Sequence, residues 1–195
     1  MRRARAGAVV QAVHRYVHGT TQCQLGPFPP GTPYAADNPE LMLWVHATLV
    51  HASLAAYQTF ERRLSADQRE SYYRDMALVA EIFGVPKRVI PRTLADFHEY
   101  FEAQVAGSSI TVTPIAEQIA SVILRAPLPA PLRLYAPAHR LATTAFLPPR
   151  LRREYGLPWT PRERLLLRPA GWSLKLTATP VIHTASRLRL AAVPG

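Results

Sequence analysis

The stretch that decides the fold is Leu41–Phe60, LMLWVHATLVHASLAAYQTF, twenty residues without a formal charge and with two histidines, His46 and His51, inside it. Its start is well marked. Asn38 suits an N-cap, Pro39 the first helical position, and Glu40 sets negative charge at the positive end of the helix dipole. The length is that of a membrane span. Thr48, Ser53, Gln58 and the two imidazoles dilute its apolar character, however, and Arg62 and Arg63 close it. Polar groups are costly within a bilayer, so the segment reads as a soluble core helix. Such a helix carries imidazoles into an apolar interior, as a redox-cofactor pocket requires. An ordinary core helix with two hydrogen-bonded histidines has the same sequence pattern.

Working outward, every further signal is helical. Ala8–His18 reads as a short helix ended by Gly19, and Thr20–Asp37 as a loop in which Pro27, Pro29, Pro30 and Pro33 block regular structure. Ser65 and Gln68 form a capping box, and the helix they open runs to Phe83, with Gly84 as its stop and Pro86 behind it. Thr93 caps a segment through about Val105, and Thr113-Pro114 opens another that ends near Arg125. No sustained alternation of period two appears, so little or no sheet is expected. Eleven of the nineteen prolines lie from Pro127 onward, so helices there must be short or kinked. One clear start remains in that region, the capping box Thr160-Pro161-Arg162-Glu163, before Pro169, Gly171 and Pro180 interrupt. The expected fold class is all-α, a single multi-helix domain with a Pro/Arg-rich C-terminal segment. The expected division is a helical domain over 1–160 and a C-terminal helix and flexible tail over 161–195.

Bulk properties bound this reading. A chain of 195 residues with 48% hydrophobic content can bury a real core and is not a disordered polypeptide. Cys23 is the single cysteine, which excludes an internal disulfide framework and a cysteine-rich zinc site and fits a reducing, cytoplasmic setting. The start MRRARAGAVVQAVH shows no secretory leader. The net charge of +10 is uneven: residues 1–15 hold four arginines and no acid, whereas residues 125–195 hold twelve basic and two acidic side chains. No recognisable nucleic-acid module interleaves these arginines, so no specific nucleic acid is expected. Weak association with an anionic membrane face stays open beside a simply solvated surface. Arg150, Arg152 and Arg153, in LPPRLRREYGLPW, read as part of a polar, turn-rich stretch.

Several segments together resemble one family. PYAADNPELMLWVHATLVHASLAAYQTF, followed by LSADQRESYYRDMALVAEIFGVP, VTPIAEQIASVILRAPLPAPLR and FLPPRLRREYGLPW, is similar to the catalytic domain shared by the latex-clearing rubber oxygenases and the MpaB-type oxygenases. The likeness runs from about Ala8 to Trp159, and WVHATLV after a D-x-P-E-like turn is its most specific element. It implies an all-helical fold, a b-type haem and cleavage of carbon–carbon double bonds with dioxygen. The partners so implied are a hydrophobic small molecule and dioxygen. In the family a helical segment that brings an arginine and a threonine near the haem precedes the histidine helix. Met1 stands thirteen residues before His14, so the expectation is a chain lacking that N-terminal part.

The chemistry must come from histidines. VHRYVHG matches the family's short glycine-ended helix with the proximal haem ligand, which makes His14 the candidate iron ligand. His46, in WVHATLV, shares a helical face with Met42, Leu43, Val50 and Ser53 and is the second candidate for the haem pocket, or else an ordinary core histidine. His18 falls at a helix end. His51, His98, His139 and His183 read as plain surface or core histidines. Tyr34 and Asp37 could anchor a pocket, although Asp37 before Asn38-Pro39 is equally a turn former. Tyr72, Tyr73, Met76 and Val79 read as packing residues, and Glu40, Asp67 and Glu70 as partners of helix dipoles. No phosphate loop, serine-hydrolase elbow or HExxH is present, and no catalytic residue is assigned. The alternative is a non-catalytic helical binding protein that uses its arginine-rich C-terminal surface.

Overall fold

The computed structural model describes residues 2–125, 133 and 136–171. Helix α1 (Arg2–Tyr16) leads into strands β1 (His18–Thr20) and β2 (Pro33–Ala35). There follow α2 (Pro39–Phe60), α3 (Ala66–Ile82), a 3-10 turn (Lys87–Val89) and α4 (Leu94–Ala106). The chain continues through α5 (Pro114–Leu124), α6 (Ala136–Phe146), α7 (Pro149–Glu154) and a last helix, α8, over 161–171. The all-α expectation therefore holds. Two compact units form: Met1–Gln58 with Arg62–Thr113, and Thr59–Glu61 with Pro114–Gly195. The tail expected to be flexible lies outside the described residues beyond 171.

In the first unit the starts of α2, α3 and α4 are those the sequence marks. The Asn38 side chain accepts from the amides of Glu40 (2.8 Å) and Leu41 (3.4 Å) and so opens α2. Ser65 and Gln68 close a reciprocal capping box on α3, and Thr93 and Asp96 close one on α4. Glu70 does more than lie near a helix start. From α3 its carboxylate accepts the Leu94 amide at 3.0 Å, placing a negative charge on the first turn of α4. At the end of α3 the Val85 amide returns to the Ala80 carbonyl and the Gly84 amide to that of Glu81, both at 3.0 Å. Gly84 takes a φ of +99° there, a conformation only glycine adopts cheaply.

Packing follows from the apolar faces. Ala47, Val50 and Leu54 of α2 are buried against Tyr73 of α3 and Leu94, Phe97 and Phe101 of α4. Each such large side chain taken out of water contributes about 1.5–3 kcal/mol. A second cluster, Leu43, Ala80, Val85 and Ile90, locks the start of α2 to the end of α3. The buried stripe of α2 is Leu43, His46, Ala47, Val50 and Leu54, with Ser53 left exposed, because α4 closes over the Leu54 side.

Two details differ from the sequence reading. Helix α1 begins at Arg2 and ends at Tyr16, and His18 lies in a strand. The segment read as a loop contributes a short antiparallel ribbon with Thr20 opposite Pro33 and His18 opposite Ala35. Thr21 stabilises it: its hydroxyl donates to Pro29 at 2.7 Å and accepts the Thr32 amide at 3.0 Å. Three-residue strands are too short to show a period, and Val17 gives its carbonyl to Ala36 at 2.8 Å rather than to a continuing helix.

The second unit has its own logic. Phe60 meets Phe146 edge to face at 5.7 Å, and Ala138, Thr144 and Leu151 are buried. The LPPRLRREYGLPW stretch folds as α7, ended by Gly156 at a φ of +62°. Arg152 lies over the Trp159 ring at 4.9 Å, and Arg150 pairs with Glu154 at 3.3 Å, so these arginines are more engaged than a polar turn suggests. Helix α8 begins where expected, with the Glu163 carboxylate accepting the Thr160 amide at 2.7 Å, and passes Pro169 without stopping.

Helix α1 docks on the end of α3. The Gln11 amide donates to the Ile82 carbonyl at 3.1 Å, and a Cβ added at Gly7 would fall inside contact distance of that same carbonyl oxygen. Gly→Ala in a helix interior ordinarily stabilises by about 0.5–1 kcal/mol. Here overpacking against backbone, about 1–3 kcal/mol, wins. Gly7→Ala is expected to lower the urea midpoint, and a raised midpoint would show that α1 does not sit this close. Tyr73 offers a second check, since its hydroxyl donates to the Pro91 carbonyl at 2.7 Å. Tyr73→Phe should cost about 0.5–1.5 kcal/mol in the same assay.

Candidate functional site

Four positions of α1, Gly7, Val10, Gln11 and His14, follow the spacing of a single helical stripe. Gly7 and Gln11 hold that stripe against α3, which carries Val10 and His14 into a cavity of about 610 Å³. The volume suits a cofactor or small ligand, for which pockets span roughly 300–1,000 Å³. Helix α2 forms its long wall with Leu41, Met42, Trp44, Val45, His46 and Leu49. Ala80, Phe83 and Val85 close it at the end of α3, and Tyr34 to Ala36 of the ribbon at another side. Among the described residues no carboxylate, lysine or arginine lines it. Its polar side-chain groups among the described residues are His14, His46, Tyr34 and the Trp44 indole N–H.

The two imidazoles are presented differently. His46 is buried, its ring hydrogen-bonds the Met76 backbone, and its Nε2 has no partner. A neutral ring that donates to the Met76 carbonyl through its other nitrogen keeps a lone pair on Nε2. Burial holds the His46 pKa below 6.5, only partly opposed by that hydrogen bond, so the ring is neutral near pH 7. His14 is half-buried, and its Nδ1 is enclosed without a hydrogen-bond partner. A buried, unpaired ring nitrogen costs about 1–3 kcal/mol, which a ligand can relieve. The cavity thus holds two imidazoles that each offer an unused nitrogen.

Other candidates fall elsewhere. Tyr34 lines the cavity and crosses Gly19 of the facing strand, whereas Asp37 is exposed and is not part of the lining. His18 is exposed, with Nδ1 at 3.1 Å from the Arg15 carbonyl. His51 stacks on Phe101 at 4.2 Å, and Phe101 also stacks on Trp44 at 5.4 Å, so this pair braces the cavity wall from behind. His98 and His139 are exposed, and His183 lies outside the described residues. Tyr73 packs in the core, and Tyr72 and Met76 pack against that core. Among the described residues no three His, Cys, Asp or Glu side chains gather as a metal site. A larger cavity of about 740 Å³ in the second unit is lined by Leu, Ala and Pro with Arg140, Arg162 and Glu163 and has no imidazole, so the smaller one is the chemical candidate. Met76, Gly7 and Gln11 have no signature of their own in the sequence. Only their spacing from His14, or their place across from His46, gives them a role.

A depressed imidazole pKa links the site to stability. Between the folded pKa and 6.5 the unfolded chain binds a proton that native His46 refuses, so stability falls as pH drops below 6.5. His46→Gln removes this contribution, and its loss of urea stability between neutral and acidic pH should be smaller than that of the parent. Equal losses would mean that His46 does not titrate in this way.

No helix among the described residues is long and apolar enough to cross a membrane. Searches of curated proteins and of solved structures find no match to this chain. Residues 1–176 match the family described as "ER-bound oxygenase mpaB/B'/Rubber oxygenase, catalytic domain", a span that includes all of the first unit, most of the second and every residue of the histidine cavity. With an all-helical fold and a match over most of its length, the chain belongs to the MpaB/rubber-oxygenase catalytic domain family, a family of oxygenases.

Proposed function

We propose that this chain is a haem-dependent oxygenase that acts on an apolar substrate with dioxygen. The observation that carries the reading is the pair of enclosed, partnerless imidazole nitrogens, His14 Nδ1 and His46 Nε2, at one apolar cavity. A b-type haem suits this set. Its porphyrin supplies four iron ligands, so a single imidazole suffices where no cluster of three protein ligands gathers. When bound, the haem supplies an iron at which dioxygen can be activated.

The protein's part is binding, orientation and exclusion of water. His14 is the proposed iron ligand, presented by α1 and held in place by the Gly7 and Gln11 contacts with Ile82. His46 lines the pocket, hydrogen-bonded to the Met76 backbone, and its neutral Nε2 can accept a proton or a hydrogen bond from a bound molecule. Leu41, Val45 and Leu49 offer an apolar wall to a substrate of the same character, and the lack of charged lining favours apolar over ionic substrates. A second assignment has one observation in its favour: His46 already has the orienting hydrogen bond on one nitrogen and the free lone pair on the other that metal-bound imidazoles show.

Expression with haem supply, followed by optical and pyridine-haemochrome spectra, tests both assignments. The parent should show a Soret band. His14→Ala is expected to lose it, or to keep a weakly bound species, with the helical circular dichroism unchanged. His46→Ala should keep haem with a shifted spectrum. Full haem in the His14 variant with loss in the His46 variant would invert the assignment, and a parent without haem would remove the haem reading.

A further inference from the structure

Helix α1 has a second face that the fold leaves uncovered. Opposite the stripe held on α3, Val9, Val13 and Tyr16 are 60%, 55% and 85% exposed. At about 100° per residue they lie within one arc of about 60°. An exposed apolar stripe thus follows the basic sequence MRRAR along the chain. The charge of this first segment of sequence is uniform in sign. Residues 1–36 contain Arg2, Arg3, Arg5 and Arg15, and the first carboxylate of the chain is Asp37.

We propose that α1 docks the first unit on an anionic lipid surface, with Val9, Val13 and Tyr16 entering the headgroup boundary and the arginines meeting acidic headgroups. Basic helices with an apolar stripe bind in this way. A second copy of the chain is the poorer occupant. A two-fold interface along this stripe would bring the arginine-bearing α1 segments of both copies together with no acid among residues 1–36 to offset them. The docking has a consequence that rests on the oxygenase reading. Leu41, Val45 and Leu49 are themselves 48%, 59% and 57% exposed and line the histidine cavity, which gives an apolar molecule leaving the lipid an apolar edge to cross.

Flotation of the full chain with lipid vesicles tests the docking apart from the haem reading, since Val9, Val13 and Tyr16 do not line the cavity. Vesicles of phosphatidylcholine with about one-third phosphatidylserine should float the protein at least about ten-fold better than phosphatidylcholine alone. The combined Val9→Ser, Val13→Ser and Tyr16→Ser variant should lose about ten-fold of that partition while keeping its circular dichroism and its haem spectrum. Replacing Arg2, Arg3, Arg5 and Arg15 by Gln should remove the preference for phosphatidylserine. No flotation on anionic vesicles would overturn the proposal. So would unchanged flotation of the serine variant, which would assign binding to the arginines after residue 125. A dimer in sedimentation equilibrium that the serine variant dissolves would replace the lipid surface with a second copy.

Discussion

The placement of His14 at the histidine cavity depends on one backbone carbonyl, that of Ile82. The end of α3 is closed by Gly84 in a left-handed conformation, and the Ile82 oxygen is left to accept the Gln11 amide. Gly7 lets the two backbones approach at that point, because any side chain there would meet the same oxygen. Gly7, Gln11 and His14 lie along one stripe of α1, so fixing the first two fixes the third. A helix of only 15 residues is marginal by itself in water, and this docking supplies the tertiary contact it requires.

Helix α2 is the other half of the arrangement. Its charge-free run, Leu41–Phe60, is apolar on more than one side, and the fold uses the sides differently. Leu43, Ala47, Val50 and Leu54 are buried against α3 and α4, where Phe101 stacks on both Trp44 and His51. Leu41, Val45 and Leu49 stay exposed and edge the cavity. His46 stands on the buried side with an opening toward the cavity. An imidazole there needs a partner for one nitrogen, and the Met76 carbonyl provides it. The other nitrogen is left unpaired, a cost tolerated in an interior that is otherwise well packed.

Electrostatics separates the two parts of the molecule. The cavity has no charged lining, so burial alone sets the His46 pKa direction, and the imidazole stays neutral as a metal ligand or proton acceptor requires. The arginines gather elsewhere, at the start of the chain and after residue 125. In the second unit, burial and the neighbouring Arg164 and Arg153 push the Arg152 guanidinium down, and the Trp159 ring beneath it offsets part of that repulsion.

The sequence by itself determined helices α2 to α5 and most of their ends. Asn38, Ser65, Thr93 and Gly84 act through side chains or backbone angles within a few residues, so their effect is local and legible. It also marked His14 and His46 as the residues to watch, through a short motif and a charge-free helix. Tertiary structure alone decided that both imidazoles line one cavity, that the Met76 backbone faces one, and that Gly7 and Gln11 place the other. It also decided that Glu70 caps α4, a helix that begins 24 residues later. The ribbon at His18 and Pro33 belongs to the same class, since three-residue strands carry no period to read. The physical reason is common to all of these. They join atoms far apart in the chain, and each is specified by how two surfaces pack, which no local pattern records.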